Sequence, residues 1–115
     1  MTGYVFFPAA DARQDAIWDY TAKRWDELQA EAYITGLHEH LSTLAQDKSL
    51  WRRLPDRLVL PAGVRDAVYC SLYRQHWLFF RELPSGRIGV LTILHASMDL
   101  PVRLREDLER LFREE

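Results

Sequence analysis

The 115-residue chain has a mass of 13.6 kDa, is 48% hydrophobic and 28% charged, and carries a formal net charge of −2. That length closes around one core, which predicts a single domain over residues 1–115, and five Gly and five Pro are too few for a collagenous or low-complexity polymer. The lone cysteine, Cys70, excludes an intramolecular disulfide and a Cys-based zinc framework.

The opening run Met1-Thr2-Gly3-Tyr4-Val5-Phe6-Phe7-Pro8 has no basic segment. Its apolar stretch is too short for a signal-peptide core or a membrane span, so a soluble, cytoplasmic protein without membrane contact is expected. Residues 4–7 read as a first strand ended by Pro8, a residue that suits the first turn of a helix. No Gly or Pro interrupts residues 9–25, where Ala12, Ala16, Ile17, Tyr20 and Arg24 recur at three- and four-residue spacing. The spacing predicts a helix with these positions on its packed stripe and Asp11, Asp15 and Asp19 on the other faces.

Asp26 with Gln29 three residues later resembles a capping box and starts a second helix near Glu27. Its stripe is Ala30, Tyr33/Ile34, Leu37, Leu41, Leu44 and Ala45, and the short connection makes the two helices an antiparallel hairpin. Pro55, Pro61 and Gly63 break the pattern over residues 48–63, which read as a surface loop with at most a short helical or extended piece.

The period then changes to two. Val68, Cys70 and Leu72, then Trp77, Phe79 and Arg81, then Ile88, Val90, Thr92 and Leu94 each alternate with their neighbours. Three strands follow, joined by tight turns at Gln75-His76 and Pro84-Ser85-Gly86 into an antiparallel meander. Strict alternation puts His95 on one face with Leu91 and Ile93. Asp99 and Pro101 open a last helix, with Leu104, Leu108, Leu111 and Phe112 on one face, to be either core or a mobile lid. The order β-α-α-β-β-β-α predicts an α+β fold, a small antiparallel sheet with an N-terminal αα-hairpin packed on one face.

Charge is unevenly spread. Residues 1–50 hold 4 Lys+Arg against 8 Asp+Glu, whereas residues 51–105 hold nine Arg against four acids. The basic side chains are 13 Arg and only two Lys, Lys23 and Lys48, a bias that either planar recognition or a GC-rich genome would produce. No Gly-rich phosphate loop, nucleophile elbow or His-Glu-x-x-His is present, so no nucleotide chemistry and no cofactor is expected. His38 and His40 stand about 200° apart around a helix and cannot chelate one ion, so no metal site is expected.

Cys70, mid-strand among apolar neighbours, reads as a small hydrophobe rather than a nucleophile. His95 fits a satisfied core position or a ligand contact at the sheet rim. Arg65, Arg74 and Arg81 are interleaved with Tyr69, Tyr73, Trp77 and Phe80. Such a combination suits single-stranded RNA, through phosphate pairing and stacking, and equally suits a solvated face above core aromatics.

Four stretches carry a family resemblance. Ile17-Trp18-Asp19-Tyr20-Thr21-Ala22-Lys23-Arg24-Trp25 resembles Ile-x-x-Tyr-x-x-x-x-Trp, and Gln29-Ala30-Glu31-Ala32-Tyr33-Ile34 resembles Gln-Ala-x-x-Tyr. Arg65 sits where an arginine enters the meander, and Val90-Leu91-Thr92-Ile93-Leu94-His95-Ala96-Ser97-Met98-Asp99 resembles an Ile-Leu-His-x-x-Met-Asp ending. In this order the chain resembles the ParE branch of the ParE/RelE toxin superfamily. It departs from the pattern at Arg13-Gln14, where Asp-Leu is usual, at Asp26, where Gly is common, and in the segment 51–61.

The resemblance implies a type II toxin that inhibits DNA gyrase, is not itself an enzyme, and is neutralised by a ParD-like antitoxin. That antitoxin carries a ribbon-helix-helix N-terminus and a flexible C-terminal segment, and it brings the complex to DNA. Arg65, Arg74, Arg81, His95, Met98 and Asp99 are the candidate contacts to antitoxin or target. The alternatives are a RelE-like ribosome-dependent mRNA endonuclease using Arg65, Arg81 and His95, or a degenerate non-toxic module. The low Lys content and absence of excess positive charge argue against the nuclease.

Overall fold

The computed structural model describes residues 3–55 and 67–114. Strand β1 (Tyr4–Phe6) leads into helix α1 (Pro8–Arg24) and helix α2 (Glu27–Gln46). A 3-10 turn (Lys48–Leu50) and the two-residue strand β2 (Arg52–Arg53) precede β3 (Tyr69–Tyr73), β4 (His76–Glu82), β5 (Ile88–His95) and helix α3 (Leu100–Glu114). Pro8 takes the first helical position of α1, where its missing N–H is one the helix would leave unpaired anyway. The Asp26 carboxylate caps α2 by accepting the Gln29 backbone N–H at 2.7 Å. At the other end of α2, the Trp51 indole N–H donates to the Leu44 carbonyl at 2.7 Å, a stronger partner for that terminal acceptor than the Asp47 backbone N–H at 3.3 Å.

The strands form one sheet in the order β1-β5-β4-β3-β2. The predicted meander β3-β4-β5 is antiparallel. β1 adds to its far edge in parallel, Tyr4 opposite Ile88, and β2 adds to the other, Arg52 opposite Cys70. The β3–β4 turn is at Arg74-Gln75, one residue earlier than predicted, with Tyr73 opposite His76 and Arg74 in the left-handed region at φ 52°.

Helices cover both faces. The αα-hairpin packs Ala10, Ile17, Leu37, Leu41 and Leu44 on Leu78, Phe80, Ile88, Val90 and Ile93. On the opposite face α3 packs Leu100, Leu104 and Leu108 on Cys70, Phe79, Leu91 and Leu94. α3 is also tied by polar bonds: the buried Asp107 carboxylate accepts the Thr92 hydroxyl at 2.7 Å and faces the Arg13 guanidinium of α1 at 3.3 Å. Of the two roles predicted for this helix, these contacts give it the role of core.

Two expectations fail for identifiable reasons. In β5, Phe79 pairs with Thr92 but Phe80 pairs with Val90, which leaves Leu91 as the extra residue of a β-bulge. An extra residue flips the parity of everything after it. Leu91 therefore faces α3, while Ile93 and His95 face the hairpin, so His95 does not share a face with Leu91. In α1 the predicted stripe is rotated: Ala12, Ala16, Tyr20 and Arg24 are exposed, and Ala10 and Ile17 are the buried positions. Tyr20 keeps 64% of its surface exposed, because the helix turns that side toward a groove rather than toward the core.

Candidate functional site: an aromatic groove with a histidine floor

The second half of α1, the start of α2, the β3–β4 tip and the end of β5 enclose a groove of about 720 Å³. Its mouth is formed by Tyr20, Trp25 and Met98, all exposed, and its floor by Tyr33, His76, Ile93 and His95. Pattern sends Tyr33 inward from α2, and the register of β4 and β5 sets His76 opposite His95 on the same face.

The floor is made of two hydrogen-bonded groups, Tyr33–His76 and Gln75–His95–Ser97, that meet ring edge to ring face. His76 Nδ1 lies 2.6 Å from the Tyr33 hydroxyl, and its ring stands edge-on to that of His95 at 5.0 Å between centroids. His95 Nδ1 accepts both the Ser97 backbone N–H at 3.0 Å and the Ser97 hydroxyl at 2.7 Å. An imidazole nitrogen that accepts a backbone N–H carries no proton, so the His95 proton is on Nε2, which donates to Gln75 Oε1 at 3.3 Å. Burial, reinforced by the neighbouring His95, pulls His76 down to a pKa of about 4, so it is a neutral imidazole near pH 7. Burial raises the Tyr33 phenol, opposed by the Gln75 backbone N–H at its oxygen.

The β3–β4 tip is held to α2 by Tyr73, whose hydroxyl donates to the Tyr33 carbonyl at 3.2 Å. Gly36 makes this possible, since a Cβ there would lie 2.2 Å from the Tyr73 oxygen. Arg74 at the tip stacks its guanidinium 5.7 Å above the Tyr73 ring and donates Nε–H to the Tyr73 hydroxyl at 3.2 Å.

The candidate residues of the sequence divide between places. Arg74, His95 and Met98 line the groove together. Arg81 lies on the α3 face toward the other end of the sheet, its guanidinium 5.3 Å above the Phe7 ring. Asp99 is exposed outside the groove, its carbonyl accepting the Arg103 N–H at the start of α3. Arg65 lies outside the described residues.

Cys70 is buried, its thiol pushed up by burial, as a small core hydrophobe would be. His38 and His40 point apart, to Tyr4 and Ser71, and no metal-holding cluster of three occurs among the described residues. No described helix is long and apolar enough to cross a membrane. Composition and period did not identify Tyr20, Trp25, Gln29, Tyr33 and His76 as site residues. The signal was present in the two helical motifs, because Ile17, Tyr20, Trp25, Gln29 and Tyr33 all line the groove beside His95 and Met98.

Known proteins place the chain. Residues 4–100 match the model of the family described as "ParE toxin of type II toxin-antitoxin system, parDE". The chain is 33% identical over 97 residues to Toxin ParE1 of Mycobacterium tuberculosis (strain CDC 1551 / Oshkosh), covering 84% of this chain and 92% of that one. It is 27% identical over 109 residues to Toxin ParE of Escherichia coli, covering 95% and 99%. A solved structure titled "Chromosomal ParDE TA system from P. aeruginosa" superposes with a TM-score of 0.64 at 21% identity, over 84% of this chain and 98% of that one, which shows the shared fold. The chain belongs to the ParE toxin family of type II toxin–antitoxin systems.

Proposed function

We propose that the chain is a toxin that acts by binding: it inhibits DNA gyrase in the cytoplasm, blocks replication, and is neutralised by a cognate ParD-like antitoxin. The antitoxin, through a ribbon-helix-helix N-terminus, is the route by which the complex meets DNA. The observation that carries this reading is the convergence of the ParE motif side chains Ile17, Tyr20, Trp25, Gln29, Tyr33, His95 and Met98 on one groove. An aromatic-rimmed groove in a small protein suits a protein partner, since Tyr and Trp bring large contact area at low entropic cost.

The geometry also weighs against Arg81 and His95 acting together in nuclease chemistry. A ribonuclease needs its phosphate-stabilising arginine and its proton-transfer group around one scissile bond. Arg81 and His95 face opposite sides of the sheet and pair at opposite ends of the β4–β5 ladder, Arg81 with Gly89 and His95 with His76. About six residues of strand, or roughly 20 Å, separate them.

The test adds the purified chain, released from antitoxin, to gyrase supercoiling and cleavage assays and to a ribosome-bound mRNA cleavage assay. Gyrase inhibition with intact mRNA is expected. Cleaved mRNA with unaffected gyrase would overturn the reading in favour of the nuclease. Inactivity in both assays, with antitoxin still bound, would assign a non-toxic module.

A further inference from the structure

Two imidazoles face each other across the β4–β5 ladder. Ala96 N–H donates to the Gln75 carbonyl at 2.8 Å, which makes the next pair along, His76 and His95, a non-hydrogen-bonded pair whose side chains lie close together. Their ring centroids are 5.0 Å apart.

Both rings serve as acceptors. The Tyr33 oxygen already faces the Gln75 backbone N–H, so its own hydrogen goes to His76 Nδ1 at 2.6 Å. His95 Nδ1 is filled by the Ser97 N–H and hydroxyl. Each neutral ring therefore carries its hydrogen on Nε2, and an arriving proton has only Nδ1 to bind. At His76 that takes away the acceptor of the Tyr33 hydroxyl. At His95 it sets one N–H against the Ser97 backbone N–H, a donor that cannot turn round.

The surroundings offer an imidazolium no partner. Around the pair, α1 presents Arg13 and Tyr20, α2 presents Tyr33, and the β3–β4 tip presents Arg74 and Tyr73, with His40 packed on the Tyr73 ring. No Asp or Glu lines the groove among the described residues. Burial and the second imidazole act in the same direction, holding His76 at about 4.

These bonds also fasten two weakly packed segments. The tip is tied to α2 by the Tyr33–His76 bond and by the Tyr73 hydroxyl on the Tyr33 carbonyl, and the turn after β5 is tied by Ser97 to His95. No residue of 73–77 or 95–99 is fully buried, so little apolar contact retains either segment once the imidazole bonds are lost.

We propose that the His76–His95 pair is a proton-operated clasp. With both rings neutral it holds the β3–β4 tip on α2 and keeps the 95–99 turn closed; a proton taken up by the pair releases both segments while the sheet and α3 stay folded. The groove is thereby complete only near neutral pH, whatever it binds. The sign follows from His76: its value is depressed in the closed state, so the open state takes the proton first, and closure is complete above about pH 6.5 and is lost toward 4.

The test is hydrogen exchange of the full chain at pH 7.5 and pH 5, corrected for the intrinsic pH dependence of exchange. Residues 73–77 and 95–99 are expected to open about tenfold or more often at pH 5, with α3 and the centres of β4 and β5 unchanged. His76→Gln combined with His95→Asn, whose amide oxygens accept hydrogen bonds but take up no proton, should exchange alike at both pH values. Tyr33→Phe should open the tip already at pH 7.5. Imidazole NMR of the native chain should show His76 taking up its proton over the range in which the tip opens.

Equal opening of the native chain at the two pH values overturns the inference, and this measurement decides it even where the double variant does not fold. A rise spread over α3 and the whole sheet overturns it as well, because that is global unfolding. So does a pH response that survives in the double variant, or a His76 ring that titrates with no change in exchange at the tip.

Discussion

The two faces of the sheet are covered by different chemistry. Beneath α3 the contacts are apolar, Leu100, Leu104 and Leu108 on Phe79, Leu91 and Leu94, with one buried polar knot of Arg13, Asp107 and Thr92. On the hairpin face all four histidines lie against a hydroxyl: His38 against Tyr4, His40 against Ser71, His76 against Tyr33 and His95 against Ser97. Apolar packing is insensitive to orientation and makes a stable wall. Hydroxyl–imidazole bonds fix orientation at small net gain, and two of the four, at His76 and His95, line the groove. The contrast teaches that both faces carry an apolar core, the larger one under the hairpin, and that the hairpin face adds to it side-chain contacts that fix orientation.

The most direct way to break that comparison is to empty the α3 side. Leu104 is fully buried, so Leu104→Ala should cost about 3 kcal/mol in urea unfolding, from lost transfer energy and the cavity left behind. A cost near zero, with rapid amide exchange throughout α3, would mean that the helix is a lid after all. The polar knot should matter nearly as much. Asp107→Ala leaves the Arg13 guanidinium and the Thr92 hydroxyl without their acceptor. Removing one partner of a fully buried pair costs more, but the Arg13 side chain is 29% exposed, so about 2 kcal/mol is expected.

Much of this asymmetry was legible in the sequence. The stripe Ala30, Leu37, Leu41, Leu44 is a long three-four repeat, and it packs as predicted because every member is apolar and no alternative face competes. The α1 stripe was misassigned because Ala and Tyr are poor discriminators between core and groove; Arg13 and Gln14, the departures from the family pattern, hold the inward side through Asp107 and His38. The bulge at Leu91 left no trace, since Val90, Leu91, Thr92, Ile93 and Leu94 suit burial on either face, and only pairing with β4 decides where the extra residue sits. The short helical or extended piece expected in residues 48–63 takes both forms in the described part, the 3-10 turn Lys48–Leu50 and strand β2, whose two arginines are placed by pairing with β3 rather than by a pattern of their own. Residues of the groove came from four elements, so their convergence could be read only where motif positions happened to mark them.

A smaller effect sharpens the hairpin side of the comparison. His76 is held near 4 in the fold against 6.5 in its ordinary state, and burial also lowers His38 and His40. A depressed histidine means that the unfolded chain binds protons first. Stability contributed by the neutral ring is therefore complete above about pH 6.5 and is lost as pH falls from there toward 4. With solvent reaching the ring from the groove, the loss from His76 should be on the order of 1–2 kcal/mol, measured as the difference in unfolding free energy between pH 7 and pH 4.5. His76→Gln, whose amide oxygen can still accept from Tyr33, should flatten that part of the profile relative to the native chain. An unchanged profile would mean that His76 is hydrated in the fold.

The smallest expected effect separates burial from bond length. Lys48 Nζ lies 2.6 Å from Glu82 Oε2, shorter than the 3.3 Å between Arg13 and Asp107, yet its side chain is 66% exposed and that of Glu82 is 40% exposed. Water competes for both charges of the surface pair and salt screens them, whereas the Asp107 carboxylate has already lost its water and depends on its partners. Lys48 also rests 5.6 Å from the centre of the Trp51 ring, but that indole is anchored independently by its bond to the Leu44 carbonyl. Lys48→Ala should therefore cost less than about 0.5 kcal/mol, and raising the salt concentration should reduce even that. If Lys48→Ala instead cost as much as Asp107→Ala, burial would not be what separates the two ion pairs, and the exposed pair would have to be held by more than its charges.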